Sequence, residues 1–147
     1  MNQAKDLLKE PPRSPRIRIG GYALLARMID KGRATVAGTP GEYHFNCPLD
    51  KMLTSFKGVD GENVRPLLAA GKSDEEILAW LNANGTPKTA AEIKAWADGV
   101  EAASFYHHPD KEKQEWFIGE CKNVGIDPAT STLFDYLEAD DRVSFKK

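Results

Sequence analysis

The sequence predicts a mainly α protein: a single compact multi-helix domain carrying an extended Pro/Arg-rich N-terminal arm and a long polar–aromatic loop. Three observations carry the prediction. Ser73 with Glu76, and Thr89 with Glu92, have the spacing of capping boxes, in which a hydroxyl and a carboxylate reciprocally satisfy orphan amides of a helix's first turn. Gly71, Gly85 and Gly125 stand where helical patterns stop, as residues that accept a left-handed C-cap. From Tyr22 onward, apolar residues recur mostly at the three- and four-residue spacing of helix faces.

The elements follow in order. Pro11, Pro12 and Pro15 forbid a helix in residues 1–20 and favour an extended arm. Ile17 and Ile19 alternate with Arg16 and Arg18, so the arm is expected to dock by an apolar edge with its arginines outward. Residues 21–85 form an N-terminal helical body. Its first helix runs from Tyr22 to about Val36, with Tyr22, Leu25, Met28 or Ile29, and Val36 inward and Arg27, Asp30, Lys31 and Arg33 mostly on the other side. Asp30, three residues from both Arg27 and Arg33, braces either guanidinium. Gly38, Pro40 and Gly41 break this helix, and Glu42–Asp50 has no helical period. Pro48 opens the next helix, which carries Leu49, Met52, Leu53 and Phe56.

Further helices are expected over Glu62–Ala70, after the boxes at Ser73 and Thr89, after His108-Pro109-Asp110, and over Ser131–Glu138. Trp80, Trp96, Trp116, Phe117 and Phe134 fall on their apolar faces and read as core. Asn84–Lys88 is the expected hinge before the C-terminal helices of residues 86–147, and it is too short to separate independent domains.

Composition excludes several function classes. Apolar residues at 41% and charged residues at 29% rule out a disordered chain or a disulfide scaffold. No apolar run approaches the roughly 20 residues of a membrane span, so no membrane partner is expected. The N-terminus lacks the apolar region of a secretory signal, which makes a cytoplasmic location the expectation and Cys47 and Cys121 free thiols. A pI near 5.9 argues against nucleic acid as a partner. The net charge of −2 conceals an asymmetry: residues 1–60 hold ten Lys/Arg against six Asp/Glu, whereas residues 61–147 hold ten against sixteen. Between Arg13 and Arg33, six cations face Asp30 alone. Such a cluster either clamps a phosphate or carboxylate through forked bonds or docks on the acidic half of the chain.

Several blocks carry a resemblance: Pro12-Arg13-Ser14-Pro15-Arg16, Gly20-Gly21-Tyr22, Ala26–Ala34, Gly41–Asp50, Ser73–Leu81 and Leu133–Asp141. Together they resemble a bacterial family known only as a domain of unknown function, number 5069. The resemblance spans nearly the whole chain and implies a small, soluble, mostly helical protein. It implies no activity, cofactor or site residue.

The candidate site is therefore argued from residue chemistry. Arg13, Arg16, Arg27 and Arg33 are candidates to clamp an anion, with Tyr43, His44, Asn46 and Asp50 reading the rest of the ligand. The expected pocket lies where the arm, the first helix and the Tyr43–Asp50 loop converge. The best reading is a small anionic-ligand-binding module. Its alternatives are a protein-interaction or self-association module, including a homo-oligomer, and an enzyme with Cys47 as nucleophile or His44 as general base. His107, His108 and Asp110 lack the spacing of metal ligands, and no metal or cofactor is expected. Gly20-Gly21 matches neither G-x-G-x-x-G nor a P-loop and reads as a flexible joint rather than a phosphate cradle.

Overall fold

Four of the α-helices begin where a side chain caps the first turn. Ser73 accepts from Glu76 N–H at 3.1 Å and Glu76 accepts from Ser73 N–H at 3.0 Å. The same exchange joins Thr89 to Glu92, and Thr132 to Asp135. The computed structural model describes residues 4–145. Among these it holds seven α-helices and no strand: α1 (Leu25–Ala37), α2 (Pro48–Lys57), α3 (Arg65–Ala69), α4 (Asp74–Asn84), α5 (Ala90–Ala102), α6 (Lys111–Asn123) and α7 (Leu133–Ser144). The mainly α prediction is met. Over Glu62–Ala70 the expected single helix is a 3₁₀ turn, Gly61–Val64, running into the short α3. The last helix continues six residues past Glu138, because Ala139 and Asp141 extend its buried face.

Contacts group the chain into two units, one up to Lys94 and one from Ala95 onward. In the first, the described part of the arm is docked. Leu7 is buried, and its N–H donates to the Thr39 carbonyl at 3.0 Å. The arm does not present the expected edge, however: Ile17 is 43% exposed while Arg16 and Arg18 are half-buried. The chain reverses here, since Ile19 and Tyr22 exchange two backbone hydrogen bonds of 3.0 and 3.2 Å. Gly20 (φ 57°) and Gly21 (φ 87°) both take left-handed conformations, as the two central residues of a type I′ turn must. A Cβ on Gly20 would lie 2.6 Å from Leu78 carbons. This is a fixed turn packed on α4, not a flexible joint.

The reversal also delays α1 to Leu25, three residues later than expected. Leu24 caps it at φ 71° and donates its N–H to the Pro15 carbonyl. The polar side of α1 is not a solvent face: Arg27, Asp30 and Lys31 are each less than 5% exposed, while Val36 emerges into solvent. α1 packs against α2 and α3 on one side and takes the arm on another, so its charges are enclosed. Buried charges must be paired, and this requirement organises the first unit. Gly32 admits the Leu68 and Phe45 side chains where a Cβ would clash.

In α2 the buried face is Asp50, Leu53, Thr54 and Lys57, with Met52 and Phe56 only half-buried. The Asn84–Lys88 segment is no hinge. Thr86 N–H donates to the Lys57 carbonyl at 2.6 Å, and Lys57 Nζ donates to the Thr86 carbonyl at 2.8 Å.

In the second unit, α6 and α7 pack together around Phe117, Cys121, Phe134 and Ala139. Phe117 and Phe134 are core as expected. Trp116 is not: it is 46% exposed and lies edge-on to Tyr136, with ring centroids 5.4 Å apart. Trp80 and Trp96 are half-buried. Large aromatics at a helix rim shield apolar area without entering the core.

Candidate functional site

The arm, α1 and the Tyr43–Asp50 loop do converge, and their charges are largely spent on one another. Asp30 accepts the Arg13 backbone N–H at 2.8 Å and the Arg13 Nε and Nη2 donors at 3.0 Å each. Arg13 Nη1 reaches Asp74 at 2.8 Å, and Arg33 Nη2 meets the same carboxylate at 3.0 Å. The hydrogen bond from Arg13 holds the Asp74 carboxyl below its usual range, with Arg33 adding to the effect. Burial by itself would lower the Arg13 pKa, but its bonds to Asp74 and Asp30 outweigh that and raise it.

Arg27 donates to the Arg13 carbonyl at 3.3 Å and lies 5.5 Å from the Tyr43 ring centroid. Arg16 is half-buried, and its N–H donates to Ser14 Oγ at 3.1 Å. Lys31 Nζ sits 2.9 Å from Asp50 Oδ1, both side chains being at most 4% exposed. The Asp50 Oδ2 atom takes the Asn46 N–H at 2.8 Å. Asn46, at φ 58°, gives its Nδ2 to Glu62 and turns a buried, unpartnered Oδ1 toward Gly61. The structure thus joins Arg13 to Arg33, Arg27 to Tyr43 and Asn46 to Asp50.

It does not pair His44 with Cys47. His44 is exposed, and the Cys47 thiol meets Lys31 Nζ at 3.3 Å instead. Cys121 is buried, which pushes its thiol pKa up. Both cysteines are free. His108 Nδ1 accepts the Asp110 N–H at 2.9 Å at the start of α6. Among the described residues, no three His, Cys, Asp or Glu side chains gather as metal ligands.

An open cleft of about 560 Å³ lies elsewhere in the first unit. Arg18 and the Gly20-Gly21 turn form one wall, Lys57 and Asn82 another, and the start of α5 with its connector contributes Lys88 and Lys94. Pro87, Ala90 and Ile93 supply an apolar side. The lining holds four cations and no carboxylate.

Lys57 is the unusual member. It is 1% exposed, and its ammonium donates to the Thr86 carbonyl while lying 5.5 Å from the Tyr22 ring centroid. Among the described residues, no carboxylate pairs with it. An ammonium has three protons to place. The Tyr22 hydroxyl donates to Asn82 Oδ1 at 2.9 Å, leaving the Asn82 amide nitrogen as that side chain's donor. Lys88 Nζ lies 4.7 Å from the Phe56 ring centroid.

Sequence reasoning missed this site. One signal was present: Lys57 follows Leu49 and Leu53 at four-residue intervals, so it stands on the inward stripe of α2. Arg18 belonged to the basic cluster but was not assigned to any site, Lys88 was placed only in the expected hinge, and Lys94 carried no reading.

Residues 9–143 match the family described as a domain of unknown function (DUF5069). The chain belongs to that family. The match spans both units and includes every residue lining the cleft, so the cleft lies within the shared domain of this family. No curated protein matches the chain significantly. Among the described residues, no helix is long and apolar enough to cross a membrane.

Proposed function

We propose that the protein is a small-molecule-binding module whose ligand is an anion held in the cleft of Arg18, Lys57, Lys88 and Lys94. The buried Lys57 ammonium carries this reading. A charge removed from water without a counter-charge costs several kcal/mol, and the fold keeps this one beside an open, acid-free cavity. An anion in the cleft offsets that cost. The low-dielectric walls also focus the field of the Lys57 ammonium into the space. The arginines first expected to form the clamp fit this role less well, because Arg13 and Arg33 already face Asp30 and Asp74. Two free thiols suit a reducing, cytoplasmic setting.

The test is the melting temperature of the full chain in inorganic phosphate against chloride at matched ionic strength. Phosphate raises it in the wild type and leaves Lys57→Met unchanged; an equal rise in both proteins overturns the reading. A second reading, self-association, rests on the exposed Trp116 of the second unit. Sedimentation velocity tests it: a monomer at all concentrations removes it.

A further inference from the structure

Resting on the anion-binding reading, we propose that the ligand is a two-ended organic anion. Its head is an oxyanion, carboxylate or phosphate monoester, taken by Lys57 and the open donors near it. Its body is apolar and lies against Pro87, Ala90 and Ile93.

The head follows from the donors that the fold leaves open in the cleft lining. Arg18 and Lys94 have interactions of their own, and Lys88 lies over Phe56 and acts on Glu92, so these three do not place it. Lys57 does. Of its three ammonium protons, one is placed on the Thr86 carbonyl at 2.8 Å, and no other acceptor meets it among the described residues. Tyr22 donates to the Asn82 Oδ1, and the Asn82 Nδ2 has no acceptor among the described residues. The Gly20 and Gly21 N–H groups of the type I′ turn are open in the same sense. Successive amides of a tight turn form a concavity suited to anions. Each of these groups seeks an acceptor. An oxyanion brings acceptor oxygens alone, whereas a hydroxyl or amine head brings donors of its own.

The body follows from the apolar side and from size. Ala90 and Ile93 stand three residues apart in the first turn of α5 and share a face, and Pro87 of the connector adds to it. Open amides and apolar surface adjoin, because a Cβ on Gly21 would lie 3.1 Å from Ile93 Cγ2. A head seated on the turn therefore has its body within reach of Ile93. The volume of about 560 Å³ lies in the range of small-molecule sites, about 300–1,000 Å³, and one inorganic oxyanion leaves most of it empty. Such an ion also leaves the apolar side wet, and a hydrocarbon leaves the ammonium unanswered.

Calorimetry on the full chain at matched ionic strength tests the proposal with two pairs of probes that differ in the body. Acetate is compared with benzoate, and inorganic phosphate with phenyl phosphate; benzyl alcohol supplies the body without the head. In at least one pair the phenyl-bearing member is expected to bind about tenfold more tightly. Tenfold is about 1.4 kcal/mol, which about 55 Å² of newly buried apolar area supplies at about 25 cal/mol per Å². The tighter pair identifies the head as carboxylate or phosphate. Ile93→Ser and Pro87→Ser each remove most of this gain and leave the affinity of the bodiless anion unchanged. Because Pro87 is exposed, its variant keeps the test decisive if Ile93→Ser fails to fold. A gain below threefold in both pairs, or one that survives in both variants, overturns the apolar body and leaves the anion reading standing. Benzyl alcohol binding as tightly as the anions overturns the head and the anion reading with it. No binding by any anion overturns both.

Discussion

The two ends of the buried face of α2 solve the same electrostatic problem differently. At the N-terminal end, Asp50 meets Lys31 at 2.9 Å and accepts the Asn46 N–H, so the charge is closed off. At the C-terminal end, Lys57 is equally buried and has one carbonyl and the face of Tyr22. The closed end follows the rule for interior charges. The open end departs from it, and a fold tends to depart from its own rules where a site has to do something. The same contrast separates the Arg13–Asp30–Asp74–Arg33 lattice, in which each guanidinium faces a carboxylate, from Lys57, which faces none among the described residues.

Lys31→Met should sharpen this contrast most. It strands Asp50 without its counter-charge, and breaking a buried pair costs about 3–5 kcal/mol, readable as a drop in urea midpoint. Gly20→Ala comes next. Its left-handed φ of 57° and the Leu78 side chain behind it predict a loss of about 1–3 kcal/mol in the same assay. Removing the cap with Ser73→Ala should cost about 1 kcal/mol, as a control for a purely local bond.

Lys57→Met is the one change expected not to lower stability: no carboxylate is stranded, the methionine fills the space and the desolvation cost of the ammonium is relieved, so the urea midpoint holds or rises. A loss as large as that of Lys31→Met would break the comparison and make Lys57 a structural cation.

Acid titration separates the two sets of charges by sign. Asp74 has a depressed pKa in the folded state, chiefly through its hydrogen bond from Arg13. Its contribution is therefore present above the unfolded value, near 3.8, and is lost as pH falls through the lower folded value. Asp74→Asn should flatten the acid limb of the stability curve, while Lys57→Met leaves that limb unchanged.

Much of the fold was legible because caps are local. Ser73, Thr89 and Asp110 each announce a helix through a bond made within a few residues. The proline-bound arm was legible for the same reason. The charges on α1 were misread because periodicity sorts residues into two faces, and α1 has neither face in solvent. Whether Arg27, Asp30 and Lys31 point to water or to partners depends on Arg13, Asp50 and Tyr43, which lie 14 to 19 residues away in sequence. The cleft was hidden by the same distance: Arg18, Lys57 and Lys94 form no pattern until the turn at Gly20-Gly21 and the connector after α4 bring them to one cavity. Only Lys57, a cation in apolar register, carried a sign of it.

The reciprocal bonds between Lys57 and Thr86 bear on how a ligand would be received. The Lys57 carbonyl and the Thr86 amide fasten main chain to main chain, so an incoming guest that draws the ammonium away breaks only the side-chain half of the tie. The walls stay in place. On the proposed reading, little ordering entropy would then be charged against association, and recognition would call for one rotamer change rather than a loop closure.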